Sequence, residues 1–140
     1  MVRVNLLHPK KLADQHLIAE YNEILMLVAY IRKHSSIEDI PTSYCLNKGH
    51  MKFFKNKLAY LKKRHEHLKA EMKVRGFQAN KTISLKGFGK NNVQNWTPTT
   101  KDFTIITKRI TEKLRMKPTY YRYYGKYKDV EFLVGLLISK

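Results

Sequence analysis

Acidic residues are scarce in this chain. It has 11 Asp and Glu against 28 Lys and Arg, a formal charge of +17 over 140 residues. The acids are scattered, and Asp14, Glu20 and Glu23 do not converge as the ligands of a two-metal nuclease must. Cysteine is nearly absent too. Cys45 has no partner for an internal disulfide, which suits a reducing interior. There is no CxxC, no HExxH and no other zinc-ligand spacing, so neither a metal nor any other cofactor is expected. No GxSxG or Cys-His signature is present. Gly87-Phe88-Gly89 lacks the GK[ST] of a phosphate loop. The longest apolar run, 130–139, is interrupted by Glu131 and is too short to cross a bilayer. No signal peptide is visible, and the expected location is intracellular rather than secreted. No internal repeat or low-complexity tract breaks the chain, so we read residues 1–140 as one domain.

Hydrophobic residues make up 43% of the sequence, enough for a core. Their spacing is helical. Over 13–34, Leu17, Tyr21, Ile24, Leu25, Val28 and Ile31 form one stripe. Over 50–75, Phe54, Leu58, Leu61, His65, Leu68 and Met72 do the same, and Gly76 is a fitting stop. Over 99–116 the core side is Phe103, Ile106, Ile110 and Leu114, with Pro98-Thr99 as the start and Pro118 as the end. Residues 1–12 read as an extended arm in which Val2, Val4 and Leu6 alternate with Arg3 and Asn5, and Pro9 discourages helix. Residues 34–49 and 77–97 read as loops, and 130–138 as a short helix or strand. The expected fold is all-α: a single compact domain of three main helices with an extended N-terminal arm and long loops.

The excess of positive charge implies a polyanionic partner, with nucleic acid ahead of an anionic membrane surface. Lys52, Lys55, Lys57, Lys62, Lys63, Arg64, Lys69 and Lys73 give the second helix a dense basic side. Lys108, Arg109, Lys113, Arg115 and Lys117 charge the third. Residues 119–128, TYYRYYGKYK, interleave Tyr121 and Tyr124 with Arg122, Lys126 and Lys128. Such a stretch suits stacking on bases and pairing with phosphates, or else a lid whose rings cover the core.

Two features carry possible chemistry. On the first helix, Glu23 points away from the apolar stripe. His16 lies on nearly the same radius two turns earlier, with Gln15, Asn22, Ala19 and Met26 beside them. For a lone glutamate a solvated polar face would be the ordinary explanation. The second feature is the chain start. Residue 2 is small, so removal of Met1 would leave an α-amine on Val2 whose ordinary pKa is about 7.7–8.0, a far better neutral nucleophile than lysine. A fraying, inert terminus is the commoner outcome.

Four segments taken together resemble a known family. They are VRVNL (2–6), LADQHLIAEYNE (12–23), GHMKFFKNKLAYLKKR through VRGF (49–77) and RITEKLRMKPTYYRYYGK (109–126). With PTSYCLNKGH (41–50), they make the chain similar to the pyrimidine-dimer DNA glycosylase/AP lyases of the endonuclease V type, found in phages and algal viruses. The resemblance covers most of the chain in the same order, and is poor over 78–98 and beyond Lys126. It implies three helices with the arm threaded between them, the Val2 amine as nucleophile and Glu23 as the catalytic carboxylate. It also implies that Arg3, Gln15 and His16 surround the lesion, that Arg109 and Lys113 lie on the DNA face, and that Lys126 ends the YYGK motif. The chain departs from the family at Asn22 and Met26, where arginines are usual. The implied partner is double-stranded DNA with a damaged or abasic site, bound by a monomer without a membrane. The implied location is host cytoplasm or nucleus, or the virion. Two other readings stay open: an abasic-site lyase or a glycosylase for a different lesion, and a non-enzymatic basic DNA-binding protein.

Overall fold

The computed structural model describes residues 3–139. Its elements are α1 (Asp14–Lys33), α2 (His50–Phe53), α3 (Leu58–Val74), α4 (Thr100–Met116), a two-strand antiparallel hairpin of β1 (Arg122–Tyr123) and β2 (Lys126–Tyr127), and α5 (Val130–Ile138). The all-α expectation holds, with that hairpin as a minor addition. Helix α1 packs chiefly on α3, and α4 on α5. The reason is the stripes. Leu17, Tyr21, Ile24, Leu27, Val28 and Ile31 of α1 are buried against Leu58, Leu61, His65, Leu68 and Met72 of α3, with Ile106, Ile110 and Leu114 of α4 in the same core. Each fully buried leucine or isoleucine contributes about 1.5–3 kcal/mol. The α1 stripe is rotated slightly from the expected one: Leu27 is buried and Leu25 only half so.

The helix ends follow local chemistry. Thr99 caps α4 reciprocally with Asp102, the Asp102 amide donating to Thr99 Oγ1 and the Thr99 amide to Asp102 Oδ2. Gly76, at φ 87°, ends α3: the Gly76 amide donates to the Lys73 carbonyl and the Phe77 amide to that of Met72.

Three expectations are corrected. The helix read over 50–75 is not continuous. A 3-10 turn at Phe54–Asn56 and a non-helical Lys57 (φ −130°, ψ 36°) separate α2 from α3. The break is stabilised from a distant loop, where buried Asn92 donates to the Lys55 carbonyl (2.8 Å) and accepts the Leu58 amide on its own carbonyl (3.0 Å). Next, Arg64 and Lys55 do not belong to a solvated basic side, because both are buried. Arg64 forms a two-pronged pair with Glu20 (2.8 and 2.9 Å) and also donates to the Leu7 carbonyl. A carboxylate with no exposed surface needs such a partner. The arm, finally, is not a simple alternating strand. Val4, Asn5, Leu6 and Leu7 are all buried, Leu6 turns the chain at φ 59°, and Pro9 opens a short 3-10 turn, Pro9–Lys11, from the position where proline is tolerated.

Arg75, at the end of α3, ties the parts together. It bonds Asp14 (2.9 Å), Glu71 (2.8 Å) and the Leu12 carbonyl (2.8 Å), and its guanidinium lies 4.7 Å from the ring centres of both Tyr123 and Tyr124. Asp14 also accepts the amides of Tyr124 and Gly125. The hairpin is thereby held over the start of α1.

Candidate functional site

Three separate stretches meet around a cavity of about 320 Å³. The arm supplies Arg3 and Asn5, α1 supplies His16, Ala19 and Glu23, and α4 supplies Arg109, Ile110 and Lys113, with Tyr121 ahead of β1 closing one side. Positions 16, 19 and 23 share one face of α1, since helical neighbours recur at three and four residues. Positions 109 and 113 do the same on α4. The polar face that the sequence places opposite the α1 core stripe is therefore not open solvent. The arm and α4 cover its His16, Ala19 and Glu23 part.

Electrostatics follow from that cover. Burial pushes the Glu23 carboxyl up from 4.5 to about 7, with Glu20 adding to the rise and Arg3 opposing it. A carboxyl poised there is a mixture of acid and base near neutral pH. Burial, helped by Lys113, pushes the His16 imidazole down to about 4, so its ring is neutral at physiological pH. The His16 ring packs on Tyr121 with centroids 4.7 Å apart, and its Nδ1 is buried without a hydrogen-bond partner among the described residues. Arg3 feels burial and Arg109, which lower its proton affinity, and Tyr44 and Glu23, which raise it. Arg3, Arg109 and Lys113 thus set three cations around one carboxyl that burial partly neutralises, which leaves the wall positive and fit for phosphate.

The arm is held by side chains rather than by a sheet. The Val4 amide donates to His50 Nε2 (2.9 Å), and the Val4 carbonyl accepts the Tyr44 hydroxyl (2.8 Å). His50 Nδ1 sits 2.7 Å from the Cys45 carbonyl. Val2, read from the sequence as a catalytic residue, lies outside the described residues.

None of the remaining predicted residues lines the cavity. Gln15 bonds the hairpin backbone, donating to the Tyr120 carbonyl (2.9 Å) and accepting the Arg122 amide (3.0 Å), and so fixes Tyr121 beside His16. Asn22 is exposed and bonds the Ile18 carbonyl one turn back, while Met26 is 61% exposed. Lys117 lies over the Tyr120 ring and Arg122 over Tyr127. Tyr124 donates its hydroxyl to Glu71 (2.7 Å), and Lys126 is exposed on β2. Asn5 was missed as a cavity residue. Its place two residues from Arg3 in an extended arm was the available signal. Tyr44 and His50 were missed as the arm's anchors, because no local pattern relates them to Val4. Among the described residues no group of three or more His, Cys, Asp or Glu could hold a metal ion, and no helix is long and apolar enough to cross a membrane.

A cavity that sets three cations around one carboxyl of raised proton affinity, on a chain of charge +17, suits a site directed at nucleic acid. A model of the pyrimidine dimer DNA glycosylases matches residues 1–85, and the chain belongs to that family of DNA-repair enzymes. Its substrate is accordingly DNA. The matched stretch contains Arg3, Asn5, His16, Ala19 and Glu23. The α4 wall and Tyr121 lie beyond it and reach the site only through folding.

Proposed function

We propose that the protein removes a damaged pyrimidine and then cuts the strand at the resulting abasic site, with the Val2 amine as nucleophile and Glu23 as its acid and base. The observation that carries this reading is Glu23, a carboxyl pushed up to about 7 in a cavity that Arg3, Arg109 and Lys113 also line. Arg3, the sequence neighbour of Val2, lines the same cavity.

The neutral amine attacks C1′ of the damaged nucleoside. The bond from C1′ to the base breaks, its electron pair leaves on the base, and the base takes up the proton that the attacking nitrogen gives up. The C1′–O4′ bond then opens, O4′ receives a proton from the Glu23 carboxyl, and the amine nitrogen is left double-bonded to C1′. This iminium acidifies C2′. Glu23, now a carboxylate, accepts a C2′ proton while the C3′–oxygen bond breaks and the 3′ phosphate departs. Water finally hydrolyses the imine and frees the amine. Arg109 and Lys113 hold the phosphates of a strand opened at the lesion, and Tyr121 and His16 present ring faces to the displaced nucleoside.

The test is incubation in EDTA with oligonucleotides bearing a thymine dimer, an abasic site or no damage, with borohydride added to trap the imine. The expected result is cleavage of the first two, and a covalent adduct that peptide mapping places on the N-terminal residue. An adduct on an internal lysine, or none, overturns the amine assignment. The exposed, uncharged Asn22 and Met26 beside Glu23 favour a second reading, in which the abasic site or another lesion is cut in preference to the dimer.

A further inference from the structure

Residues 41–50, PTSYCLNKGH, are left without a part in the chemistry above, yet they reach the arm at its most consequential point. Val4 is fully buried and belongs to no sheet, so its amide and carbonyl need partners. Both come from this one segment, the hydroxyl of Tyr44 and the Nε2 of His50, at 2.8 and 2.9 Å. The segment is shaped for the task. A Cβ on Gly49 would come within 2.9 Å of Pro41 Cγ and 3.0 Å of Cys45 Sγ, so glycine is what lets the loop close here. That closure sets the Cys45 carbonyl 2.7 Å from His50 Nδ1. The carbonyl can only accept, so Nδ1 carries the proton and Nε2 is left as the acceptor that the Val4 amide requires. Tyr44 meets the His50 ring edge-on (5.5 Å) and stacks on Trp96 (6.1 Å), which holds its hydroxyl in place.

Further ties on the arm lie past a bend. Leu7 is bonded by Arg64 and Leu12 by Arg75, but Leu6, at φ 59°, turns the chain between those anchors and Val4. The grip on Val4 fixes the backbone register at that residue. A slip of one residue would move the chain start by about 3.3 Å.

We propose that Tyr44 and His50 are positioning residues for catalysis: by gripping both backbone polar groups of Val4 they hold the N-terminal amine at the distance from Glu23 that imine formation requires. This rests on the amine reading given above. Reacting groups tolerate little misplacement, and an error of about 1 Å costs on the order of 100-fold in rate.

The experiment compares wild type, Tyr44→Phe, His50→Phe and His50→Gln in single-turnover borohydride trapping on an abasic oligonucleotide. Affinity is measured separately on a tetrahydrofuran analogue, which cannot form an imine. Glutamine can accept the Val4 amide on its oxygen and donate to the Cys45 carbonyl through its nitrogen, whereas phenylalanine keeps the ring and loses both bonds. Trapping is expected to slow by about 10-fold in Tyr44→Phe and about 100-fold in His50→Phe. The Kd for the analogue should stay within about threefold, and His50→Gln should recover most of the rate. Should His50→Phe fail to fold, Tyr44→Phe and the glutamine variant carry the comparison. Trapping at the wild-type rate in the phenylalanine variants, or a loss of affinity that matches the loss of rate, overturns the positioning role alone. A wild-type adduct on any residue but the first overturns the amine reading and this proposal with it.

Discussion

Replacing Glu23 by glutamine should make the protein more stable at alkaline pH and leave its stability nearly unchanged in mild acid. The folded protein holds the Glu23 proton more tightly than the unfolded chain does, at about 7 against 4.5, because burial disfavours the carboxylate. A group raised in this way gives its full contribution to stability below the unfolded value. That contribution is lost as the pH climbs through about 7. For a sealed carboxyl the difference would be worth about 3 kcal/mol, at about 1.4 kcal/mol per tenfold in proton affinity. Glu23 is only partly buried and water screens it, so we take half of that or less, about 1–1.5 kcal/mol. Glutamine keeps the shape and cannot ionise. The assay is urea denaturation of both proteins at pH 5, 6, 7 and 8.5. The gap between them should be small at pH 5 and should grow to the full value by pH 8.5, equivalent to about 3–6 °C in melting temperature. Other titrating groups are common to both proteins and cancel. A gap that does not change with pH would mean that the Glu23 carboxyl is ordinary, and the acid-and-base role drawn from it would fall. The same variant should retain DNA affinity within about threefold while strand cleavage drops by orders of magnitude, the pattern of a group used in the transition state.

Arg64→Met should cost about 3–5 kcal/mol in urea denaturation at pH 7, because it strands the buried Glu20 carboxylate, and adding Glu20→Met should recover most of the loss. No recovery would show that packing and not charge dominates there. Binding to undamaged DNA should weaken steeply with salt, with a slope of log K against log salt near about −5 if about six phosphates are neutralised, and Arg109→Ala or Lys113→Ala should each flatten it by about one unit. A flat response in the wild type would contradict the electrostatic account of the α4 wall. Asn22→Arg with Met26→Arg should raise thymine-dimer cleavage more than abasic-site cleavage, since both positions are exposed beside Glu23 and arginine offers planar paired donors. An unchanged ratio would place lesion selectivity elsewhere, in the arm, His16 or the hairpin.

The cores and ends of the long helices were legible from the chain alone where near neighbours set them. The stripe of Leu17, Tyr21, Ile24, Val28 and Ile31 has a period that only a helix can bury, Thr99 and Asp102 cap a helix through contacts three residues apart, and Gly76 stops one by its own backbone freedom. The face of Glu23 and His16 could be read for the same reason, as could the cationic character of 109 and 113. What the periodicity could not carry was contact between distant segments. Nothing local says that Arg64, one cation among many on its helix, turns inward to Glu20, or that Asn92 breaks the second helix from 37 residues away. The site is the clearest case. Glu23 on an isolated helix would be an ordinary solvated carboxylate. Its proton affinity rises only when the arm, pinned at Val4 by Tyr44 and His50, and the wall of α4 partly shield it from water. Side-chain identity is written in the sequence, whereas desolvation belongs to the assembled fold, and desolvation is what raises the Glu23 carboxyl to about 7.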